Sequence, residues 1–178
     1  NVYTGDVLVG ALGQLSRPNW PDIPGRDDFS GQMLHSARWD RDLDWSGKRV
    51  GVIGSAASAV QLIPQMAETA SHLTVFQRTP NWVIPRRDVP ITDAEKALQM
   101  TRPDIAVELA ERNRKTIWET ADHFFWQAFS WTPEGRAAYE TVARNHLENQ
   151  VPDPALRAKL TPDYPVGCKR ILISDDFY

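Results

Sequence analysis

The sequence is poor in cysteine, which limits the redox chemistry that it can carry by itself. Only one cysteine, Cys168, occurs among the 178 residues. A single cysteine excludes a disulfide within the chain. It also excludes the C-x-x-C redox centre on which disulfide-reducing enzymes depend.

Long apolar runs and strong charge are also absent. No apolar stretch approaches the roughly 18–20 residues of a membrane span, and no signal peptide is visible. The formal net charge is −3 and the pI is about 5.8, so nothing indicates a nucleic-acid or membrane partner. We expect no metal site and a location in the reducing cytoplasm.

The ends of the chain indicate a piece of a larger protein. There is no initiator Met, and residues 1–13 are predicted as a strand, Val7–Val9, that enters a glycine turn with nothing before it to pair with. Residues Arg170–Ser174 are predicted as another strand, close to the end of the chain. The alternative is a small complete domain with frayed ends.

The centre of the sequence predicts an α/β fold. Arg49–Ile53 is typical of a buried strand, Ala56 to about Ala70 of a helix, and His72–Phe76 of a second strand. Strand, helix and strand in this order predict a Rossmann-like dinucleotide-binding domain with a parallel sheet. The segment Thr79–Val89 contains two prolines and is predicted as a loop.

Residues 92–160 have a helical pattern that suits an insertion between strands or a small helical subdomain. Thr92 is typical of a helix start, and helices are predicted over Asp104–Phe129 and over Pro133 to about Gln150. The aromatic residues of this block suit either a substrate pocket or ordinary core and interface packing. They are Trp118, Phe124, Phe125, Trp126, Phe129 and Trp131.

A phosphate-binding turn is predicted directly after the first strand. The pattern G-x-G-x-x-G/A occurs here as Gly54-x-Ala56-x-x-Ala59. The first glycine permits the tight turn, the second position lets the backbone approach a pyrophosphate, and the third keeps helix and strand close. Ala56 departs from the usual glycine, and its methyl group is expected to displace the pyrophosphate outward. Ser58 and Gln61 lie near the predicted helix start and can donate to phosphate.

The end of the second strand favours NADP(H) over NAD. An NAD site usually places a carboxylate there to hold the ribose 2′-hydroxyl, and this chain has Gln77-Arg78-Thr79 instead. The forked guanidinium of Arg78 suits a 2′-phosphate, and the Thr79 hydroxyl adds a donor. The alternative is that Arg78 is simply a solvated loop arginine.

The segment Phe29–Asp40 reads F-x-G-x-x-x-H-x-x-x-W-D and precedes the predicted turn. It resembles the fingerprint of the Baeyer–Villiger monooxygenases, flavoenzymes that use NADPH and O₂ to insert an oxygen atom beside a carbonyl. Three further segments, Ala11–Pro18, Val75–Trp82 and Gly167–Arg170, resemble the family's hinge, second-strand and active-site segments. The fingerprint residues are Phe29, Gly31, His35, Trp39 and Asp40.

The resemblance implies a fragment of a flavoprotein with two dinucleotide-binding domains, for FAD and for NADPH. Residues 1–28 would end the FAD domain and form the hinge, and residues 29–90 would hold the fingerprint and the first βαβ unit of the NADPH domain. Residues 91–162 would be the helical insertion, and residues 163–178 the return strand. The first FAD phosphate turn would lie before residue 1, so the fragment alone is expected to be inactive.

The resemblance also implies roles for individual residues. Gly54, Ser55, Ala56, Ser58 and Ala59 would cradle the NADPH pyrophosphate, Arg78 and Thr79 would bind the 2′-phosphate, and Lys169 would be a second cation. Arg170 would be the catalytic arginine that stabilises the C4a-peroxyflavin, which attacks a ketone to give an ester or lactone.

The fingerprint separates the nearest alternatives. The resemblance implies that His35 acts in domain motion and cofactor handling, and a histidine that only hydrogen-bonds a linker fits equally. The related flavin-containing monooxygenases that oxidise N or S centres usually carry Tyr or Phe where this chain has Trp39-Asp40. An NADP-binding module without catalysis is the alternative of another class. The sequence does not specify the substrate.

Overall fold

The chain divides into two compact units, residues 1–44 and residues 45–178. The computed structural model describes residues 2, 4–11, 13, 15, 17–87, 90–129 and 132–178, with the side chains of residues 120–129 outside the description. The predicted hinge at 11–18 therefore falls partly outside the described residues. The domain boundaries inferred from the sequence stay a prediction.

The first unit has little regular structure. Its described residues form two short 3₁₀ turns, Arg26–Asp28 and Ser36–Arg38. The strand predicted at Val7–Val9 is wrong, because these residues form no strand and their exposed fractions are 82%, 96% and 80%. A strand is held by backbone hydrogen bonds to a partner, and the described residues of this unit supply none to this segment.

The second unit begins with the predicted βαβ arrangement. Strand β1 (Arg49–Ile53) pairs in parallel with β2 (His72–Phe76), in a register that places Arg49 opposite His72 and Ile53 opposite Phe76. Both strands have the predicted bounds. Helix α1 (Ala59–Ala67) connects them and begins later than Ala56, since residues 57–58 form a turn.

A second parallel pair lies further along the chain. Strand β3 (Val83–Ile84) pairs with β4 (Leu172–Ile173). The loop prediction for Thr79–Val89 is therefore wrong at Val83 and Ile84, two β-branched residues that are buried against a strand distant in sequence. Strand β4 is shorter than the predicted Arg170–Ser174.

In the described part of the chain, four helices separate β3 from β4. Their bounds are α2 Asp93–Thr101, α3 Pro103–Phe129, α4 Pro133–Gln150 and α5 Pro154–Leu160. Thr92 begins α2 with a capping box to Glu95, and α4 begins at Pro133 as predicted. Helix α5 was not predicted, although Asp153 followed by Pro154 is a helix-start signal, and the Asp153 side chain accepts from the Ala155 N–H.

Buried side chains of the second unit form two clusters. The larger joins β3 and α4 to the segment before β4, and consists of Trp82, Ile84, Tyr139, Ala143, Val166 and Ile171. The smaller joins α1 to the second strand pair through Val60, Val83 and Leu172. The two clusters pack the phosphate-turn helix and the segment 163–178 against the same strand.

The two alternatives for the aromatic residues of this block, a substrate pocket or core and interface packing, can be examined only at Trp118. The side chain of Trp118 is 66% exposed. The side chains of Phe124, Phe125, Trp126 and Phe129, and Trp131 as a whole, lie outside the described residues. The backbone of α3 follows the predicted helix through Phe129.

Candidate dinucleotide-binding site

Gly54 turns the chain where β1 ends. Its φ angle is +105°, in the region that disfavours side chains, and its N–H donates to the Phe76 carbonyl at 3.0 Å. A Cβ atom added at Gly54 would meet no other atom within 4 Å. The glycine is therefore required by the backbone conformation, and the space in front of the turn is open.

Several backbone amides that follow this turn have no acceptor among the described residues. In the described part of the chain, the N–H groups of Ala56, Ala57 and Ser58 have no hydrogen-bond acceptor, and the Ser58 hydroxyl makes no capping bond. Unpaired amides at the first turn of a helix, together with the helix dipole, attract anions. The segment therefore has the donor set that a pyrophosphate needs.

Other members of the predicted turn have different surroundings. Ala59 is buried, which suits the requirement for a small residue where helix and strand pack, whereas Ala56 is exposed. The side-chain amide of Gln61 donates to the Ala57 carbonyl at 2.7 Å, so part of its donor capacity is already used.

Ser55 is buried within the turn and is held by Asn81. Its exposed fraction is 6%. The Asn81 Nδ2 atom lies 2.8 Å from the Ser55 carbonyl oxygen and 3.1 Å from Ser55 Oγ. Asn81 was missed as a site residue because its partner is 26 positions away in sequence. The contact between Asn81 and the turn can be recognised only from the folded structure.

The end of β2 presents Arg78 to solvent. Among the described residues Arg78 has no ion-pair partner, and Thr79 beside it is half-buried. No Asp or Glu occurs between Gln77 and Arg87. The guanidinium is therefore free to bind an anion, and a ribose 2′-hydroxyl would find no carboxylate there.

Tyr164 connects this strand end to Lys169. Its hydroxyl donates to the Pro80 carbonyl at 2.8 Å, its own carbonyl accepts from Trp82 Nε1 at 2.9 Å, and Lys169 Nζ lies 4.3 Å from its ring centroid. Burial raises the pKa of the Tyr164 hydroxyl, which keeps the donor protonated. Tyr164 was not predicted as a site residue.

Arg170 is exposed and stands two positions before β4. The strand that follows it is fixed at both ends. The Leu172 N–H donates to the Trp82 carbonyl at 2.9 Å, and Nε2 of the buried His146 lies 2.9 Å from the Ser174 carbonyl. Arg170 is thus a charged side chain on a rigidly held backbone.

The fingerprint residues of the first unit have local structural contacts. The Phe29 ring lies over Gly31, where an added Cβ would come within 2.5 Å of the ring. His35 Nδ1 accepts from the Ala37 N–H at 3.1 Å, and the His35 ring lies edge-on to Trp20 with centroids 5.5 Å apart.

The acidic end of the fingerprint stabilises a turn. The Asp40 carboxylate accepts from the Asp42 N–H at 3.0 Å, and Trp39 beside it is half-buried. A glycine under the ring, a histidine cap and an aspartate turn give the fingerprint a defined backbone shape.

Comparison with known families matches the chain over the region of these motifs. The family described as flavin-binding monooxygenase-like matches residues 4–117, which include the fingerprint, the phosphate turn and Arg78. The chain belongs to the flavin-binding monooxygenase-like family.

A curated relative extends the match to almost the whole chain. A Baeyer–Villiger monooxygenase of Streptomyces coelicolor is 46% identical over 98% of this chain and 33% of its own length. The resemblance to Baeyer–Villiger monooxygenases is therefore confirmed. The chain spans about a third of the length of this relative.

Solved structures of this family share the fold. An oxidised steroid monooxygenase bound to NADP matches with a TM-score of 0.70 and 32% identity, over 92% of this chain and 37% of that chain. OTEMO in complex with FAD and NADP matches with a TM-score of 0.69 and 31% identity, over 94% and 38%. The α/β fold with parallel strands is that of flavin monooxygenases.

Neither a membrane span nor a metal-binding cluster occurs in the described residues. None of the helices there is long and apolar enough to cross a membrane. Within the same residues, no group of three or more His, Cys, Asp or Glu side chains is placed to hold a metal ion.

Proposed function

We propose that this chain is the NADPH-binding part of an FAD-dependent monooxygenase that inserts one atom of O₂ next to a ketone carbonyl. The product would be an ester or a lactone. One observation carries the proposal. Among the described residues, backbone amides without an acceptor follow the end of β1, and Arg78, which has no ion-pair partner there, follows the paired strand β2. The turn offers donors for the pyrophosphate of NADPH, and the arginine offers donors for its 2′-phosphate.

The residues present fit NADPH. Gly54, Ser55, Ala56, Ser58 and Ala59 would surround the pyrophosphate, because the amides of Ala56 and Ser58 have no acceptor among the described residues and the space in front of Gly54 is open. Arg78 would bind the 2′-phosphate, Thr79 would add a hydroxyl, and Lys169 would supply a second cation. Gln61 would stabilise the turn through Ala57 and donate to phosphate with its remaining N–H.

FAD is the second cofactor, as in the OTEMO complex. FAD would supply the activation of O₂ when bound, and most of its binding residues would lie in parts of the enzyme beyond this chain. Arg170 would stabilise negative charge on the reacting oxygen, since an arginine stays charged at every working pH and presents fixed donors. The fingerprint would form the hinge between the two dinucleotide domains, and the enzyme would work in the cytoplasm on a small organic ketone.

The test is an activity assay of the full-length enzyme with NADPH, a cyclic ketone and, in parallel, a thioether. We expect the ester or lactone as product and a clear preference for NADPH over NADH. Sulfoxide from the thioether with no ester from any of a panel of ketones would instead identify an N- or S-oxidising monooxygenase. NADPH binding without oxygenation of either substrate would identify a binding module.

A further inference from the structure

Asn81 connects two parts of the candidate site. It lies between Arg78-Thr79 and the buried Trp82, whose carbonyl accepts from Leu172 and whose indole N–H donates to Tyr164. The backbone of Asn81 is therefore held next to the core. From there its side chain reaches back to Ser55 in the phosphate turn.

The orientation of the Asn81 amide follows from its partner. A carbonyl oxygen can only accept, so the Asn81 atom 2.8 Å from the Ser55 carbonyl must be the NH₂ group. The same nitrogen lies 3.1 Å from Ser55 Oγ, which accepts with one lone pair. The Ser55 hydroxyl therefore keeps its proton for another acceptor.

The bond to the Ser55 carbonyl also orients the next amide. In a trans peptide the C=O and the following N–H point in opposite directions. When Asn81 binds the Ser55 carbonyl, the Ala56 N–H must point away from Asn81. That N–H has no acceptor in the described part of the chain.

We propose that Asn81 is a positioning residue of the dinucleotide site. Through Ser55 it directs one hydroxyl and one amide, those of Ser55 and Ala56, to the pyrophosphate. It also couples the phosphate turn to the segment that holds Arg78. This inference rests on the proposed NADPH site and adds a residue that acts on the cofactor only through another residue.

The test uses the full-length enzyme and two probes, NADP⁺ and 2′-AMP. The second probe carries the 2′-phosphate but no pyrophosphate. Asn81→Ala should weaken NADP⁺ binding about tenfold, the order expected for lost hydrogen bonds to a buried turn, and leave 2′-AMP inhibition unchanged. Asn81→Asp should weaken NADP⁺ more, because its carboxylate repels the Ser55 carbonyl, accepts the hydroxyl proton and adds negative charge.

Kinetics and a double-mutant cycle separate positioning from a general loss of stability. In Asn81→Ala the KM for NADPH should rise while kcat stays near that of the unchanged enzyme. In a Ser55→Ala background the effect of Asn81→Ala should shrink, since only the carbonyl bond remains to be lost. Asn113→Ala on the exposed surface of α3 is the matched control and should change nothing.

Several results would overturn the inference. The first is unchanged NADP⁺ binding in Asn81→Ala, the second is an equal loss of affinity for NADP⁺ and 2′-AMP, and the third is an additive effect with Ser55→Ala. Each would show that Asn81 does not position the turn, and none would contradict NADPH binding by the enzyme. If Asn81→Ala does not fold, the isosteric Asn81→Asp carries the same comparison. If the unchanged enzyme binds neither probe, the proposed function itself fails.

Discussion

The ring of Tyr164 supports the ammonium group of Lys169, with Nζ 4.3 Å from the ring centroid. The hydroxyl of the same ring donates to the carbonyl of Pro80, two residues after Arg78. One aromatic side chain therefore links the loop that carries the first proposed cation of the site to the second.

Replacing Tyr164 separates its two contacts. Tyr164→Leu removes the ring and should weaken NADP⁺ binding by roughly twofold to fivefold, the range of a cation–π contact at an exposed site. Tyr164→Phe keeps the ring but loses the bond to Pro80, so NADP⁺ affinity should hold while the free energy of unfolding falls by about 1 kcal/mol. Calorimetric titration and chemical denaturation measure the two effects. Equal NADP⁺ affinity in the Leu and Phe variants would show that the Tyr164 ring does not hold Lys169 in position for NADP⁺.

Arg78→Ala should weaken NADPH binding by about tenfold or more and leave NADH binding nearly unchanged. The guanidinium is proposed to form charge-assisted bonds to the 2′-phosphate, which NADH lacks. Dissociation constants for both nucleotides, measured on the full-length enzyme, give the comparison, with Arg114→Ala on α3 as control. Equal loss for NADPH and NADH would show that Arg78 does not bind the 2′-phosphate.

Arg170→Ala should abolish ester formation, by more than about 100-fold, while NADPH still reduces the bound flavin. The arginine is proposed to act on the reacting oxygen and not on the nucleotide, so the two half-reactions should separate. Gas chromatography of the products and anaerobic stopped-flow absorbance measure them independently. Ester formation that survives the substitution would exclude Arg170 from the catalytic role.

The capping box of α2 should respond to acid. Hydrogen bonds from Thr92 lower the pKa of the Glu95 carboxyl below its usual value of 4.5. A group with a lowered pKa in the folded state adds stability above the unfolded value, and that stability is lost as the pH falls through the folded pKa. Amide exchange in the first turn of α2 should therefore lose protection as the pH falls from neutral to below 4.5, relative to Glu95→Gln at the same pH. A constant difference across this range would contradict the assignment.

The sequence predicted local features of the fold well and long-range contacts poorly. The strands Arg49–Ile53 and His72–Phe76 follow from runs of β-branched and apolar residues, and α4 follows from Pro133. The pairing of β3 with β4 did not follow, because two residues carry too little pattern to specify a strand.

The residues of the candidate site also divide into those that the local sequence predicts and those that depend on long-range contacts. Gly54 and Arg78 are recognisable from their spacing to the strands, since the Rossmann turn has a fixed sequence pattern. Asn81 and Tyr164 act through partners 26 and 84 positions away, and no local pattern reports such contacts. The contact of Tyr164 with Pro80 also depends on how the helical block returns the chain to β3.

The placement of the four helices between β3 and β4 has a consequence for the order of folding. The Arg87 N–H reaches the Asp175 carboxylate across 88 positions, so this contact closes a long loop at an entropic cost. The phosphate turn depends on contacts much closer in sequence and can form first. We therefore expect Lys169 and Arg170 to take their positions late, after α2–α5 have formed. A partly folded chain would have the pyrophosphate donors assembled while its two cations near β4 were still unplaced.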